Sequence, residues 1–526
     1  MKTNPKKTAL SLQLSLCGFF IALIASSLSS LNSTSLLRAQ ESARDGTAGA
    51  RPVPDAAVPD AAVPDVTATQ KTTVDASIVD LQSAVERAIQ KAEKSVVSIA
   101  RVDKDTLEDP TSPDFVPKQF GTGVAIAEQG LILTCYHLLG DPDKHAYYVW
   151  LNGVPFKARK AEKVTSVVGA DPWTDLAVLK IDARLTPIRL ATDFKPRRGQ
   201  FIVSLGNPYG IAKDGHASAT FGIISNLLRQ RTLRSASEWE NSQSDVFSQY
   251  GTLLQTDAKL FRGTSGGPLL NLKGEMVGMT TALTAANHFA DAAGFAIPVD
   301  DTFRGTVHKL KQGRSAEFGF LGIATKELTL AQRQQFNRGV IVTQVVENTP
   351  ADSCGLKFGD VITHVNEMEI VSSNAMLREL SGRFADSEIT LQIQRKPFPN
   401  SPYRKLELKV RLGKKKVDSK QPAIGINDFS NWRGIKVEYP TAISNLSANA
   451  SKIDPKGCVV VVKVSRGSQG ELGGIRELDF VSHVNGKRVS NPQQFFAAVE
   501  SQTGPVELSR VKGQDRPVEK IVIKSE

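Results

Sequence analysis

The chain has 526 residues, 40% hydrophobic, 6% aromatic and 23% charged, with a formal net charge of +11. At about 150 residues per domain this length holds roughly three folded units, and the composition excludes both wholesale disorder and a multi-span membrane protein. The positive charge is spread along the chain. Its one dense run, LGKKKVDSK around residues 414–416, lacks the interleaved aromatics of a nucleic-acid groove, so it reads as a solvated linker and no nucleic-acid partner is expected.

The first residues, MKTNPKKTALSLQLSLCGFFIALIASSL, place Lys2, Lys6 and Lys7 before an apolar stretch that gives way to small and polar residues. This is the grammar of an export signal, with an uncleaved membrane anchor as the competing reading because the apolar core is long. A lipid-modified Cys17 fits less well, since Leu16 precedes it where a small residue is expected. Residues 1–40 are therefore read as signal or anchor, and the protein as exported. Residues 41–76 repeat Val-Pro-Asp-Ala-Ala and bury too little apolar surface to fold, which makes them a semi-extended tether. Downstream only Cys135, Cys354 and Cys458 remain, an odd number without CxxC spacing. Buried free thiols are expected, with neither a zinc site nor a disulfide framework.

Order is expected from Ile78, where IVDLQSAVERAIQKAEKSV carries apolar residues about one helical turn apart. Between Val96 and Pro298 the pattern changes to short apolar runs broken by Gly, Asn and Asp, which reads as an all-β barrel or sandwich. Within it, residues 229–251 form a long polar stretch expected to be a surface loop. Residues 338–370 and 456–489 then resemble each other: a strand, a polar turn, a Gly-bearing segment, an Asp-led strand and a hairpin containing Asn. Two copies of one small domain are the simplest account. The expected divisions are 77–308, 315–413, a basic linker at 414–421, and 422–526.

TSGGPLL contains the chemistry. GTSGG fits G-x-S-x-G, but a nucleophile elbow needs a helix after the serine, and GPLLNLKGEMVGMTTAL reads as a hairpin around Lys273-Gly274. The order His137, Asp175, Ser265 fits an all-β protease instead. His137 ends the apolar strand LILTCYH, Asp175 leads DLAVLKI, and Ser265 lies among Gly263, Gly266 and Gly267. A serine needs a base to take its proton, the base needs a partner fixing its tautomer, and the tetrahedral oxyanion needs inward amides that a glycine turn supplies. Taken singly, each residue also fits a turn, a strand end or a cap.

In order and spacing, LILTCYH, TDLAVLKI, SLGNPYG, QTDAKLFRGTSGGPLLNLKGEMVGM and GFAIPVD resemble the HtrA (DegP/DegQ/DegS-like) family of exported serine proteases. The resemblance implies a mainly β chain: a chymotrypsin-like double β-barrel followed by two PDZ domains, which the repeat matches. It implies His137, Asp175 and Ser265 as triad, amides of Gly263, Thr264 and Ser265 around the oxyanion, and Leu260 in the specificity pocket. It also implies Phe320, Leu321, Gly322 and Ile323 as the first PDZ domain's loop for a peptide C-terminus, which adds as an edge strand. Departures are Thr264 where the family has Asn, Tyr136 where it has Ala, and Lys259 and Phe261 where small or polar residues are usual. In the second repeat Arg433 replaces an apolar residue of the peptide loop and Leu478-Asp479 replaces Gly-Asp, so that copy is expected to serve packing rather than capture.

The resulting expectation is an endopeptidase without metal or organic cofactor. It would degrade unfolded or damaged proteins in the periplasm or cell envelope, as a trimer or higher multiple. A non-cleaving peptide-binding chaperone and a regulatory protease cutting one membrane-bound protein remain the alternatives.

Overall fold

The computed structural model describes residues 76–525 apart from 107–108, 110–111, 113–114, 152–161, 194, 208–215, 230–252, 282–293, 399–400, 418–422, 426–430 and 513–517. The export segment, the tether and the polar stretch after Arg229 lie outside the described residues.

Helix Ala76–Ala92 forms where Val85, Ala88, Ile89 and Ala92 fall along one stripe. Ala88 and Ala92 are buried, and Val85 and Ile89 pack on the core. The helix leads into a seven-stranded sheet: β1 (Val96–Asp103), β2 (Gln119–Ala127), β3 (Leu131–Cys135), β4 (His145–Leu151), β5 (Glu162–Lys163), β6 (Ser166–Asp171) and β7 (Leu176–Lys180), in the order β5-β4-β1-β2-β3-β7-β6. The next six strands, β8 (Phe201–Gly206), β9 (Ser218–Arg229), β10 (Leu253–Thr256), β11 (Pro268–Leu270), β12 (Met276–Thr281) and β13 (Gly294–Pro298), close a barrel in the order β10-β13-β12-β11-β8-β9.

The period of two along a strand explains why LILTC and LAVLK read as continuous apolar runs. Leu133, Cys135, Leu176 and Val178 face a core shared with Val203, Leu205 and Met279 of the second barrel. Ile132, Ala177 and Leu179 face the opposite way, into the first sheet's own core with Val97 and Val149. Strands β3 and β7 are thus walled on both faces, and their ends reach the junction of the two sheets.

Two copies of one smaller domain come after the barrel. The first has β14 (Gly319–Phe320), β15 (Ile323–Glu327), β16 (Val340–Val345), β17 (Val361–Val365), β18 (Met368–Glu369), β19 (Glu388–Arg395), β20 (Arg404–Arg411) and β21 (Gly413–Lys414). The second has β22 (Ile435–Glu438), β23 (Val459–Val464), β24 (Phe480–Val484), β25 (Lys487–Arg488), β26 (Val506–Val511) and β27 (Glu519–Ile523). Their main sheets share one order, β15-β16-β17-β19-β20 and β22-β23-β24-β26-β27, with β18 and β25 as matching side hairpins. In the first copy Arg395 Nη2 pairs with Asp360 at 2.8 Å; in the second, Arg510 Nη1 pairs with Asp479 at 2.9 Å.

Two sequence expectations are corrected. The lysines at 414–416 are not a solvated run. Lys414 lies in β21, its side chain 15% exposed, between Glu317 at 2.8 Å and Glu438 at 2.6 Å, and so ties the two repeats together. The Lys415 ammonium sits 4.2 Å from the Trp173 ring centroid, where burial lowers its pKa. Lys416 Nζ donates to Ser444 Oγ at 3.0 Å. Of the three thiols, Cys135 and Cys458 are buried and free as expected, whereas Cys354 is only half-buried. Burial pushes the Cys458 thiol up to about 12.

One difference between the repeats lies at a strained position. Gly359 has φ +86, and the matching Leu478 holds φ +65 while 46% exposed. A left-handed backbone costs a leucine about 1 kcal/mol or more, and an exposed side chain recovers little of it. Leu478→Gly is therefore expected to stabilise the second repeat by roughly 1 kcal/mol, measured as a higher midpoint in chemical denaturation at unchanged slope.

Candidate active site

His137 lies in the single 3-10 turn Tyr136–Leu138 that ends β3, and Asp175 immediately precedes β7. β3 and β7 are antiparallel neighbours with Cys135 opposite Leu176, so the strand ends deliver both side chains to one place. Asp175 adopts φ +58. Its carbonyl accepts from the Tyr136 amide at 2.9 Å, and its Oδ1 accepts from the His137 amide at 2.9 Å. The His137 Nδ1 stands 3.0 and 2.8 Å from the two carboxylate oxygens. An ionised carboxylate only accepts, so Nδ1 carries the proton and Nε2 is left as the basic nitrogen. Burial works against the imidazolium, but the charge and hydrogen bond of Asp175 outweigh it, and the His137 pKa is raised above 6.5.

Ser265 is 3% exposed in the turn before β11. That turn opens into the antiparallel β11–β12 hairpin, with the Asn271 amide donating to the Glu275 carbonyl at 2.9 Å, so the serine has no elbow helix behind it. Gly263 has φ +99 and Gly266 φ +85. A Cβ at Gly263 would stand 2.3 Å from the Asn207 carbonyl oxygen, and one at Gly266 would stand 2.0 Å from that of Thr122. Both conformation and space therefore require glycine.

The two halves of the site meet on threonines that sequence reasoning missed. Thr281 Oγ1 donates to Asp175 Oδ2 at 3.1 Å. The preceding carbonyl, of Thr280, accepts from the Gly266 amide at 2.8 Å and from the Cys135 thiol at 3.6 Å. Thr280 Oγ1 donates to the Thr264 carbonyl at 2.6 Å, and Thr122 Oγ1 to the Gly263 carbonyl at 2.7 Å. Sequence offers no signal for these residues beyond unusual burial of a polar type, which spacing cannot reveal.

Of the three amides expected around the oxyanion, that of Thr264 donates to the Phe261 carbonyl at 3.1 Å and is directed into the turn. The Gly263 amide donates to no backbone carbonyl among the described residues. Leu260 is half-buried against Gly294, where a Cβ would fall 2.7 Å from its Cδ1. Lys259 is exposed and Phe261 half-buried. Cys135, His137 and Asp175 bring potential metal-ligating atoms within 4.8 Å of one another. Both Asp175 oxygens are already engaged, and burial is the first cause of a strongly raised Cys135 pKa, which disfavours the thiolate a metal needs.

In the first repeat Phe320 pairs with Gly413, Leu321 is buried, Gly322 has φ +93, and the half-buried Ile323 starts β15. The carbonyls of Leu321 and Gly322 accept from Ala351 and Val346, while their own amides donate to no backbone carbonyl among the described residues. The second repeat is built differently. Trp432 and Ile435 exchange both backbone bonds, at 3.0 and 2.8 Å, across Arg433 (φ +46) and Gly434 (φ +82), a closed two-residue turn. The buried Arg433 guanidinium donates to the carbonyls of Ile523, Lys524, Gln502 and Gly504.

A trypsin-like peptidase domain model matches residues 121–279, and a PDZ domain model matches residues 319–410. The chain is thus a serine-type peptidase of two-sheet architecture carrying PDZ domains. A probable periplasmic serine endoprotease DegP-like of Pseudomonas putida (strain GB-1) is 30% identical over 386 residues, covering 72% of this chain and 73% of the relative. One from Brucella suis biovar 1 is 30% identical over 391 residues, covering 73% and 68%. A probable periplasmic serine protease do/HhoA-like of Haemophilus influenzae is 26% identical over 473 residues, covering 83% and 91%. Among solved structures, an HtrA-type protease AlgW with tripeptide matches with TM-score 0.47 and 24% identity, over 63% of this chain and 97% of that one. The chain belongs to the HtrA family of DegP-like serine endoproteases.

Close to Asp175 lies a second buried carboxylate, Asp171, which accepts from the Thr174 amide at 2.9 Å and from its hydroxyl. Burial, assisted by the neighbouring charge of Asp175, raises its pKa from 3.8 to about 6. Because the folded value lies above the unfolded one, ionisation opposes folding: the cost is absent below the unfolded pKa and grows as pH rises through about 6. Asp171→Asn, which keeps an acceptor for Thr174, should match wild-type stability near pH 4. Near pH 7 it should exceed it by on the order of 2 kcal/mol in denaturant titrations. Thr281→Val, which removes the second donor to Asp175 Oδ2 beside His137 Nδ1, should lower kcat roughly tenfold with little change in KM.

Proposed function

We propose that His137, Asp175 and Ser265 are the catalytic triad of this endoprotease. Ser265 attacks the scissile carbonyl while His137 Nε2 takes its proton and later returns it to the leaving amine. Asp175 fixes the imidazole tautomer and stabilises its cation. The Gly263 and Ser265 amides stabilise the oxyanion. The reading rests above all on the engagement of His137 Nδ1 by Asp175 at 2.8 Å. The glycine-bounded serine turn tied to the same threonine pair supports it.

A pocket bordered by Leu260 favours small or medium aliphatic side chains. Such residues are buried in folded proteins, so unfolded or damaged chains are the substrates. The first PDZ domain captures peptide C-termini at Phe320, Leu321, Gly322 and Ile323. The second, whose corresponding loop is a closed turn filled by Arg433, packs rather than captures. The enzyme works in the periplasm or cell envelope, exported or anchored by residues 1–40, as a trimer or larger multiple joined through its protease domains.

With a permanently unfolded protein as substrate and a peptide activator present, Ser265→Ala is expected to cut cleavage at least about a thousandfold while leaving binding intact. Equal turnover by both forms would exclude Ser265 as nucleophile. Suppression of aggregation by both without any cleavage would favour the chaperone reading. Only neutral His137 accepts a proton, so kcat/KM should rise with pH to a midpoint above 6.5. A rate that stays flat from pH 5 to 8 would remove His137 as the base.

A further inference from the structure

The tip of the β6–β7 hairpin, residues 171–175, is buried at every position, with Trp173 at 0% and Asp175 at 3% exposure. Connecting turns ordinarily stand in solvent. The cover here comes largely from the first PDZ domain and the segment after it. Trp173 Nε1 donates at 3.2 Å to the carbonyl of Ser381, the last residue of helix Ser373–Ser381. The indole lies 6.1 Å from Phe318, and Phe318 lies 5.7 Å from Phe384. The Lys415 ammonium stands 4.2 Å from the Trp173 ring centroid. Beside Trp173, the backbones of Ala170 and Ile424 exchange bonds of 2.7 and 2.8 Å.

The protease domain is shaped to receive this contact. From helix Asp301–Lys311, Thr302 Oγ1 donates to the Gly382 carbonyl at 2.8 Å, and Lys309 Nζ lies 4.2 Å from the Phe384 ring centroid. A Cβ at Gly305 would stand 2.7 Å from that same ring.

Two residues beyond Trp173 is Asp175, in a left-handed conformation that a non-glycine residue keeps only where its surroundings over-determine it. The residue between them, Thr174, is fixed by Asp171 through both amide and hydroxyl. Displacing the indole therefore displaces the carboxylate. Hydrogen-bonded alignment of a base is sensitive to shifts of about 1 Å.

We propose that Trp173 is a positioning residue for the triad acid: the first PDZ domain and Lys415, clamped on its indole, hold the 171–175 turn where Asp175 meets His137. The proposal rests on the triad reading above. A protease domain released from this clamp keeps its nucleophile but has a less basic His137. The titratable groups that face this pair are Arg101 towards His137, and Asp171 and the neutral Cys135 thiol towards Asp175.

The test is the rate at which a fluorophosphonate probe labels Ser265 in the full mature chain across pH. Trp173→Ala should slow labelling at neutral pH by roughly tenfold or more and move the midpoint below that of wild type. Phe384→Ala and Lys415→Met, which lie outside the protease sheets, should shift rate and midpoint in the same direction. They carry the test if Trp173→Ala does not fold. Trp173→Phe, which loses the bond to Ser381 and part of the ring but keeps an aromatic face for Lys415, should give a smaller shift of the same sign. Folded variants with wild-type rates and midpoints would overturn the clamp, as would slower labelling with an unmoved midpoint, which general loosening produces. Neither result touches the triad. Wild type labelled no faster than Ser265→Ala would instead overturn the triad reading itself.

Discussion

The carboxylate of Asp175 is the point on which the rest of the site depends. It accepts from the His137 amide, from the His137 ring and from the Thr281 hydroxyl, while its backbone carbonyl accepts from Tyr136. Those donors come from the end of β3 in the first sheet and the end of β12 in the second barrel. A buried carboxylate without such partners would take up a proton or leave the interior. The first sheet and the barrel must therefore meet in one register for the Asp175 carboxylate to keep these donors, and the same register sets the tautomer of His137.

The turn that carries Ser265 is held by different means. Its glycines carry the positive φ values and pass within contact distance of other backbones, while Thr122 and Thr280 fasten the carbonyls of Gly263 and Thr264. Threonine suits this role because its branched carbon fills a strand position while its hydroxyl bridges to a turn. The turn is thus tied to both sheets by threonine hydroxyls, and the Arg262 guanidinium adds a bond to the Lys118 carbonyl at 3.2 Å.

Outside the sheets, the two PDZ copies show how one fold diverges. Both keep the Asp–Arg pair and a left-handed glycine at the loop before the first sheet strand, Gly322 and Gly434. In the first copy the loop's carbonyls are turned to the segment after β16, and the Leu321 and Gly322 amides donate to no backbone carbonyl among the described residues. In the second, four carbonyls surround the Arg433 guanidinium, so the residue that breaks the family pattern has become part of the packing. A buried arginine is tolerable here because its donors are met by four backbone carbonyls.

Much of this was legible in the residues alone. Hydrophobic period gave the first helix, the strands and the repeat, because burial on one or two faces leaves its spacing in the chain. The triad candidates were visible from residue type, order and the glycines that a strained turn demands. Not legible were Thr122, Thr280 and Thr281, the Thr264 amide turned back on Phe261, and the lysines around 414, whose charge suggested solvent. A lysine run is exposed or paired according to what packs against it, and Glu317, Glu438 and Trp173 are far away in sequence. Sequence determines what each segment is able to bury and which side chains have the required chemistry. Only the tertiary structure decided which polar groups face one another, because hydrogen bonds and ion pairs depend on ångström-scale distances between segments that no local pattern encodes.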